Sequence, residues 1–216
     1  MCFSAEVSAF TFLFGAISSI VLIYYGNPHY RTENTVFGIL LIFIAGVQLV
    51  DFLVWIDLDN SKGINHLATL AAPLYIFGQP LVAYLVKVLY FKPDIFSIKN
   101  ASLIVFALNL LYVLYLGRSY AAFLKSNIDT TGKEHGHLSW KWISFFSEKV
   151  EELFYPVLMA INIFYLTNFD YSLVVFLITY SLLLISRHHF SYNSGELWCF
   201  FGCSIPSFMS LVSYCI

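Results

Sequence analysis

The sequence predicts an all-α integral membrane bundle of seven transmembrane helices, folded as one domain. Three observations carry that expectation. The 216-residue chain is 59% hydrophobic and only 11% charged, whereas soluble domains are about a quarter charged. Its apolar residues fall into seven runs, most of which approach the ~20 residues a helix needs to cross ~30 Å of hydrocarbon. Between the runs there is no internal repeat, low-complexity tract or separate soluble domain. A water-soluble fold of this length cannot hide so much apolar surface, so the expected solvent is lipid.

The first run covers 8–25 and is closed by Gly26-Asn27-Pro28, a helix-stopping turn. The start, Met1-Cys2-Phe3-Ser4-Ala5-Glu6, lacks the basic n-region of a cleavable signal, so this run is expected to be retained. The second run is 36–56. The third, 67–91, is interrupted by Pro73 and by Gly78-Gln79-Pro80, where a proline removes a backbone hydrogen bond and kinks the helix. The fourth is 101–116, followed by the polar stretch 117–149. That stretch carries Leu138, Trp140, Trp142, Ile143, Phe145 and Phe146 among charges, the pattern of an interfacial amphipathic segment leading into the fifth run, 150–167. Only Asn168-Phe169-Asp170 separates the fifth run from the sixth, 171–185, which forces an antiparallel hairpin; the seventh run is 196–216.

With seven crossings, the N-terminal side holds Lys62, Arg118, Lys125, Lys133, Lys141, Lys149 and Arg187. The opposite side holds Arg31, Lys92 and Lys99, with Lys87 near a helix end and expected to snorkel. The excess of basic residues places the N-terminus in the cytoplasm and the C-terminus across the membrane. A net charge of −2 with no basic stripe argues against nucleic acid as a partner. The 22 Phe, 15 Tyr and 4 Trp suit rings packed between helices and at membrane interfaces. The four cysteines, Cys2, Cys199, Cys203 and Cys215, form no disulfide framework.

Chemistry concentrates in Val47-Gln48-Leu49-Val50-Asp51-Phe52-Leu53-Val54-Trp55. Gln48, Asp51 and Trp55 stand at i, i+3 and i+7, on one helix face. A carboxyl group in hydrocarbon costs a few kcal/mol, so such acids face the bundle interior or a water-filled cavity. Asp51 is therefore a candidate proton or cation relay, or a metal ligand; its structural alternative is a hydrogen bond to Gln48 and a neighbouring helix. Gln79, beside Pro80, is a candidate lining residue where a kink frees a carbonyl. Glu148, Glu151 and Glu152 with Lys149 form either a solvated helix end or an acidic vestibule for cations.

Metal candidates are Cys2, Cys199, His188 and His189, with Glu196 and Trp198 nearby in sequence. Adjacent histidines point to different faces of a regular element, and no H-x-x-x-H, C-x-x-C or H-E-x-x-H motif fixes a geometry; His135-Gly136-His137 is equally unspecific. Cys2 becomes N-terminal if the initiator Met is removed, and its amine and thiol could then chelate, act as a nucleophile or accept a lipid.

The opening Met1-Cys2-Phe3-Ser4-Ala5, the motif Gln48-x-x-Asp51-x-x-x-Trp55 and the late Leu197-Trp198-Cys199-Phe200-Phe201 together resemble a family of multi-pass membrane proteins, similar in bacteria and in large DNA viruses of protists, with no assigned activity. Bacterial members tend to carry Glu where this chain has Asp51. The resemblance implies a fold and a set of positions, not a function. It suggests that Cys2, Ser4, Gln48, Asp51, Trp55, Trp198 and Cys199 converge, which requires the first, second and seventh helices to be neighbours.

Three functions suit these residues. The first is binding or transport of an ion, proton or small ligand at Asp51, with Gln48, Gln79 and Glu196 as polar partners and Trp55 and Trp198 as walls. The second is an enzyme acting on a lipid-like substrate through Cys2. The third is a structural or assembly role in a cellular or viral membrane. The lipid bilayer is the one partner implied by composition, and the residues single out no cofactor.

Overall fold

The computed structural model describes residues 4–97, 101–126, 130–132, 138–140, 144–146, 153–189 and 200–216. The chain is all-helical apart from one two-residue pairing. Helix α1 spans Ala5–Tyr25; Ser4 caps it by accepting a hydrogen bond from the Val7 N–H at 3.3 Å, and Glu6 faces the positive end of its dipole. Gly26 and Asn27 end it, and a short 3-10 turn over Pro28–Tyr30 leads into α2, Arg31–Trp55. Helix α3 is Ile64–Phe77 and α4 is Gln79–Phe91, with Gly78 between them. Helix α5 is Ser102–Leu124, α6 is Tyr155–Phe164, α7 is Phe169–His189 and α8 is Ile205–Val212. Between α5 and α6, β1 (Thr131–Gly132) pairs antiparallel with β2 (Leu138–Ser139).

Helix α2 is the axis of the bundle. Its buried residues run from Asn34 to Val54. It packs against α1, α3, α4 and α8, so most of its circumference meets other helices. Helix α1 lies on the outside, and its polarity is the reverse of a soluble helix. It buries Ser8, Thr11, Gly15, Ser18 and Ser19, while Phe10, Leu13, Phe14, Ile17, Ile20 and Val21 are exposed. Small and hydroxyl residues let two backbones approach, and the large apolar side chains face the solvent, which is the arrangement expected where that solvent is hydrocarbon. The exposed apolar residues of α5, including Ile104, Leu111 and Leu114, repeat the pattern.

Among the described residues, four helical stretches are long and apolar enough to cross a membrane: Ala5–Tyr25, Pro28–Trp55, Ser102–Leu124 and Phe169–Ser186. The pair α3 and α4 passes the same test when taken together, bent by 63°, as a broken span or a re-entrant loop does. Helix α6 and the stretch Phe200–Val212 are apolar but shorter. The chain is thus compatible with a membrane protein having four to five such spans by length and composition.

Two expectations change in detail. The third apolar run is two helices rather than one kinked helix. A Cβ on Gly78 would stand 2.2 Å from the Leu74 carbonyl oxygen, so only glycine fits this corner. The fourth helix continues past 116 to Leu124, because Gly117 and Arg118 sit on an exposed face where neither breaks it. From the stretch expected at the membrane interface, Leu138, Trp140 and Phe146 are buried with Val50, Val54, Ala72, Phe77 and Phe123.

Candidate functional site

The site is built where α1, α2 and α8 meet. Gly15 packs tightly against both neighbours: a Cβ there would lie 3.0 Å from the Ala45 Cβ and 2.9 Å from the Cys203 Cβ. From that point α1 runs back toward its N-terminus through Thr11 and Ser8, while α2 runs on toward its C-terminus through Gln48 and Asp51. The two helices are antiparallel neighbours, so at ~1.5 Å per residue these four side chains approach the same end of the bundle. All four are buried, Asp51 and Ser8 fully. The Cys203 thiol, itself buried, lies within electrostatic reach of the Asp51 carboxylate.

Among the described residues, many polar groups buried elsewhere are matched, though the Tyr84 hydroxyl, with no hydrogen-bond partner, is not. Asn109 of α5 and Asn162 of α6 exchange two amide hydrogen bonds of 3.1 and 3.0 Å, and Asn162 also donates to the Pro80 carbonyl at 2.8 Å. Thr69 bonds both Asn65 and Thr130, closing the α5–α6 connection onto α3. Tyr171 donates to Asn34 at 2.7 Å, Asn34 to the Asn27 carbonyl at 2.9 Å, and Asn27 to the Ser213 carbonyl at 2.7 Å, which ties α7, α2 and α8 together. The α1–α2 junction differs. Among the described residues, Gln48 Nε2 and Ser8 Oγ are buried without a hydrogen-bond partner, as is Trp55 Nε1 one turn beyond Asp51. An unmatched buried donor costs about 1–3 kcal/mol, so this end of the bundle holds hydrogen-bonding capacity that the fold leaves unused.

The other sequence-stated candidates are distributed as follows. Gln79 is fully buried, but its oxygen accepts from the Tyr155 hydroxyl, so its partner is α6 rather than α1 or α8. Trp55 is half-buried and packs with Val50, Val54 and Ala68. His188 is exposed in the last turn of α7, which also contains the backbone of His189. Cys2, Glu196, Trp198 and Cys199, and the acidic group at 148–152, lie outside the described residues. Among the described residues no three His, Cys, Asp or Glu side chains come together. Helices α1, α2 and α8 are in mutual contact.

Sequence reasoning missed Ser8, Thr11, Gly15 and Cys203. A signal existed, because Ser8, Thr11, Gly15, Ser18, Ser19 and Leu22 recur at helical spacing and mark one face of small side chains. It also misplaced Lys87. The side chain does not snorkel; it is fully buried against the end of α6.

Chemically, a carboxylate beside an amide and a hydroxyl, walled by apolar helices, can hold a proton, a cation or a small polar molecule. Comparison with family models, curated proteins and solved structures finds no match.

Proposed function

We propose that this is a seven-crossing integral membrane protein that binds or conducts a proton, an ion or a small polar ligand at Asp51. The observation that carries the reading is the pair of buried, unmatched groups beside that residue, Gln48 Nε2 and Ser8 Oγ. Evolution tolerates an unspent donor in hydrocarbon poorly, and a bound occupant is the economical reason for one.

The seven-crossing topology is supported by contacts at the helix ends. Asn27, after α1, bonds Ser213, after α8, and the Tyr214 hydroxyl donates to the Tyr25 carbonyl at 2.9 Å. Counted with α3 and α4 as one broken crossing, the helices alternate in direction, and the two short ones, α6 and α8, complete the count. On this topology the N-terminal side is the cytoplasmic one, following the lysine and arginine bias. The resemblance through Gln48, Asp51 and Trp55 belongs to the same proposal.

The test is the intact mass of the protein sprayed from detergent under native conditions, as wild type and as Asp51→Asn. A small added mass on the wild type that is missing from a folded Asp51→Asn protein is the expected result. The same added mass on both would place the occupant elsewhere. A bare chain in both would leave only weakly held ions or protons, or a purely structural role. Dye-loaded proteoliposomes would then decide: proton or cation flux lost in Asp51→Asn supports the site, and equal flux sinks it.

A further inference from the structure

Lys87 of α4 has no place in the proposal above, yet it is one of the largest fully buried side chains in the protein. Its Nζ lies within hydrogen-bond distance of four oxygens, which its three N–H groups share: the carbonyls of Ile163 at 2.7 Å, Tyr165 at 2.9 Å and Asn162, and Thr167 Oγ1 at 3.1 Å. It also sits 5.0 Å from the centre of the Phe37 ring on α2. Every contacting oxygen is neutral. Three are carbonyls from the final turn of α6 and the residue beyond it, the negative end of that helix dipole. The Ile163 carbonyl is drawn in further by Thr167 and Ser172, which both donate to it. Glu33, one turn before Phe37 on α2, is half-buried at the α6–α7 turn, where its carboxylate accepts from the Asn168 N–H at 3.3 Å and acts electrostatically on Lys87.

An amine nitrogen among neutral oxygens, beside an aromatic face and under the influence of a carboxylate, is surrounded as a free cation would be. We propose that the end of α6 is a binding site for a small monovalent cation, ammonium or potassium, and that Lys87 is a tethered occupant competing for it. A lysine that only capped the helix would need the carbonyls. It would not need the hydroxyl and the aromatic face as well.

The experiment uses the full chain in detergent and the variant Lys87→Ala, which vacates the cage. Thermal midpoints are read in ammonium, methylammonium, potassium and tetramethylammonium chloride at equal ionic strength. Lys87→Ala is expected to melt below wild type. It should recover saturably in ammonium, methylammonium or potassium, by ~5 °C or more at a hundred times the dissociation constant, and not in tetramethylammonium. Wild type should respond to none of them. Adding Thr167→Val removes one oxygen and should raise the half-saturating concentration several-fold. If Lys87→Ala accumulates unfolded, its refolding yield with and without methylammonium is the readout, and recovery supports the site. Equal midpoints in all four salts, rescue by tetramethylammonium, a half-saturation indifferent to Thr167→Val, or no refolding in methylammonium would each overturn the proposal.

Discussion

Asp51 and Asp57 stand close together in the chain and both are buried. Asp57 follows α2 and takes four donors: the Ser61 hydroxyl and the backbone N–H groups of Lys62, Ile64 and Asn65. Two of these are the first N–H groups of α3, so Asp57 closes the loop and caps the next helix. Burial by itself would push this carboxyl up; the hydrogen bonds from Lys62, Asn65, Ile64 and Ser61 together outweigh it and hold the group below the usual aspartate value. A folded value below the unfolded one, ~3.9, means that the stabilisation is complete above that pH. It is lost as the pH falls through the lower folded value. The thermal midpoint of wild type should therefore fall below about pH 4 more steeply than that of Asp57→Asn; parallel curves would contradict the capping role. At this scale, an acid inside an apolar run was plain in the sequence, and so Asp51 and Gln48 were found. Ser8 and Thr11 were not, since hydroxyls in apolar helices are ordinary. Lys87 was misread because its ligands are backbone carbonyls of a distant segment, which carry no side-chain signature.

At the scale of elements, the junction depends on how closely α1 can approach α2 and α8. Gly15 sets that distance, with Ala45 on one side and Cys203 on the other. Gly15→Val inserts a branched side chain into a contact already too tight for a methyl group and should cost about 1–3 kcal/mol, lowering the midpoint by roughly 2–4 °C per kcal/mol. Ile17→Val, on the exposed face of the same helix, should leave it unchanged. Equal midpoints for the two variants would mean that α1 does not pack through Gly15. The sequence marked the interruption at Gly78-Gln79-Pro80, but a proline signal does not say how far a helix turns; the 63° bend follows from the absent Cβ at Gly78 and from α4 packing on α6. The length of α5 was underestimated because a glycine and an arginine on an exposed face look like a terminus without being one. The burial of Leu138, Trp140 and Phe146 was illegible for a related reason. Apolar residues among charges have the same pattern whether their solvent is lipid or the side of α3.

For the molecule as a whole, the reversed polarity of the outer helices is the feature from which the rest follows. Large apolar side chains cover the outside of α1 and α5, while a core of Phe37, Leu40, Ile44, Ile163 and Met209 is joined between helices by buried polar groups such as Asn109 with Asn162. The helical, apolar character of the chain was legible from composition alone. The number of crossings was less so, because α6 has 10 residues where a span needs about 20. Within this interior, the unspent donor on Gln48 is the central claim, and global stability tests it most directly. If Gln48 is kept for an occupant rather than for the fold, Gln48→Leu removes a buried, unmatched amide at little loss of volume. The thermal midpoint of the purified protein should then stay level or rise by a few degrees. A fall of more than about 5 °C, well over 1 kcal/mol for a chain of this size, would show that the amide is part of the structure, and would contradict the site.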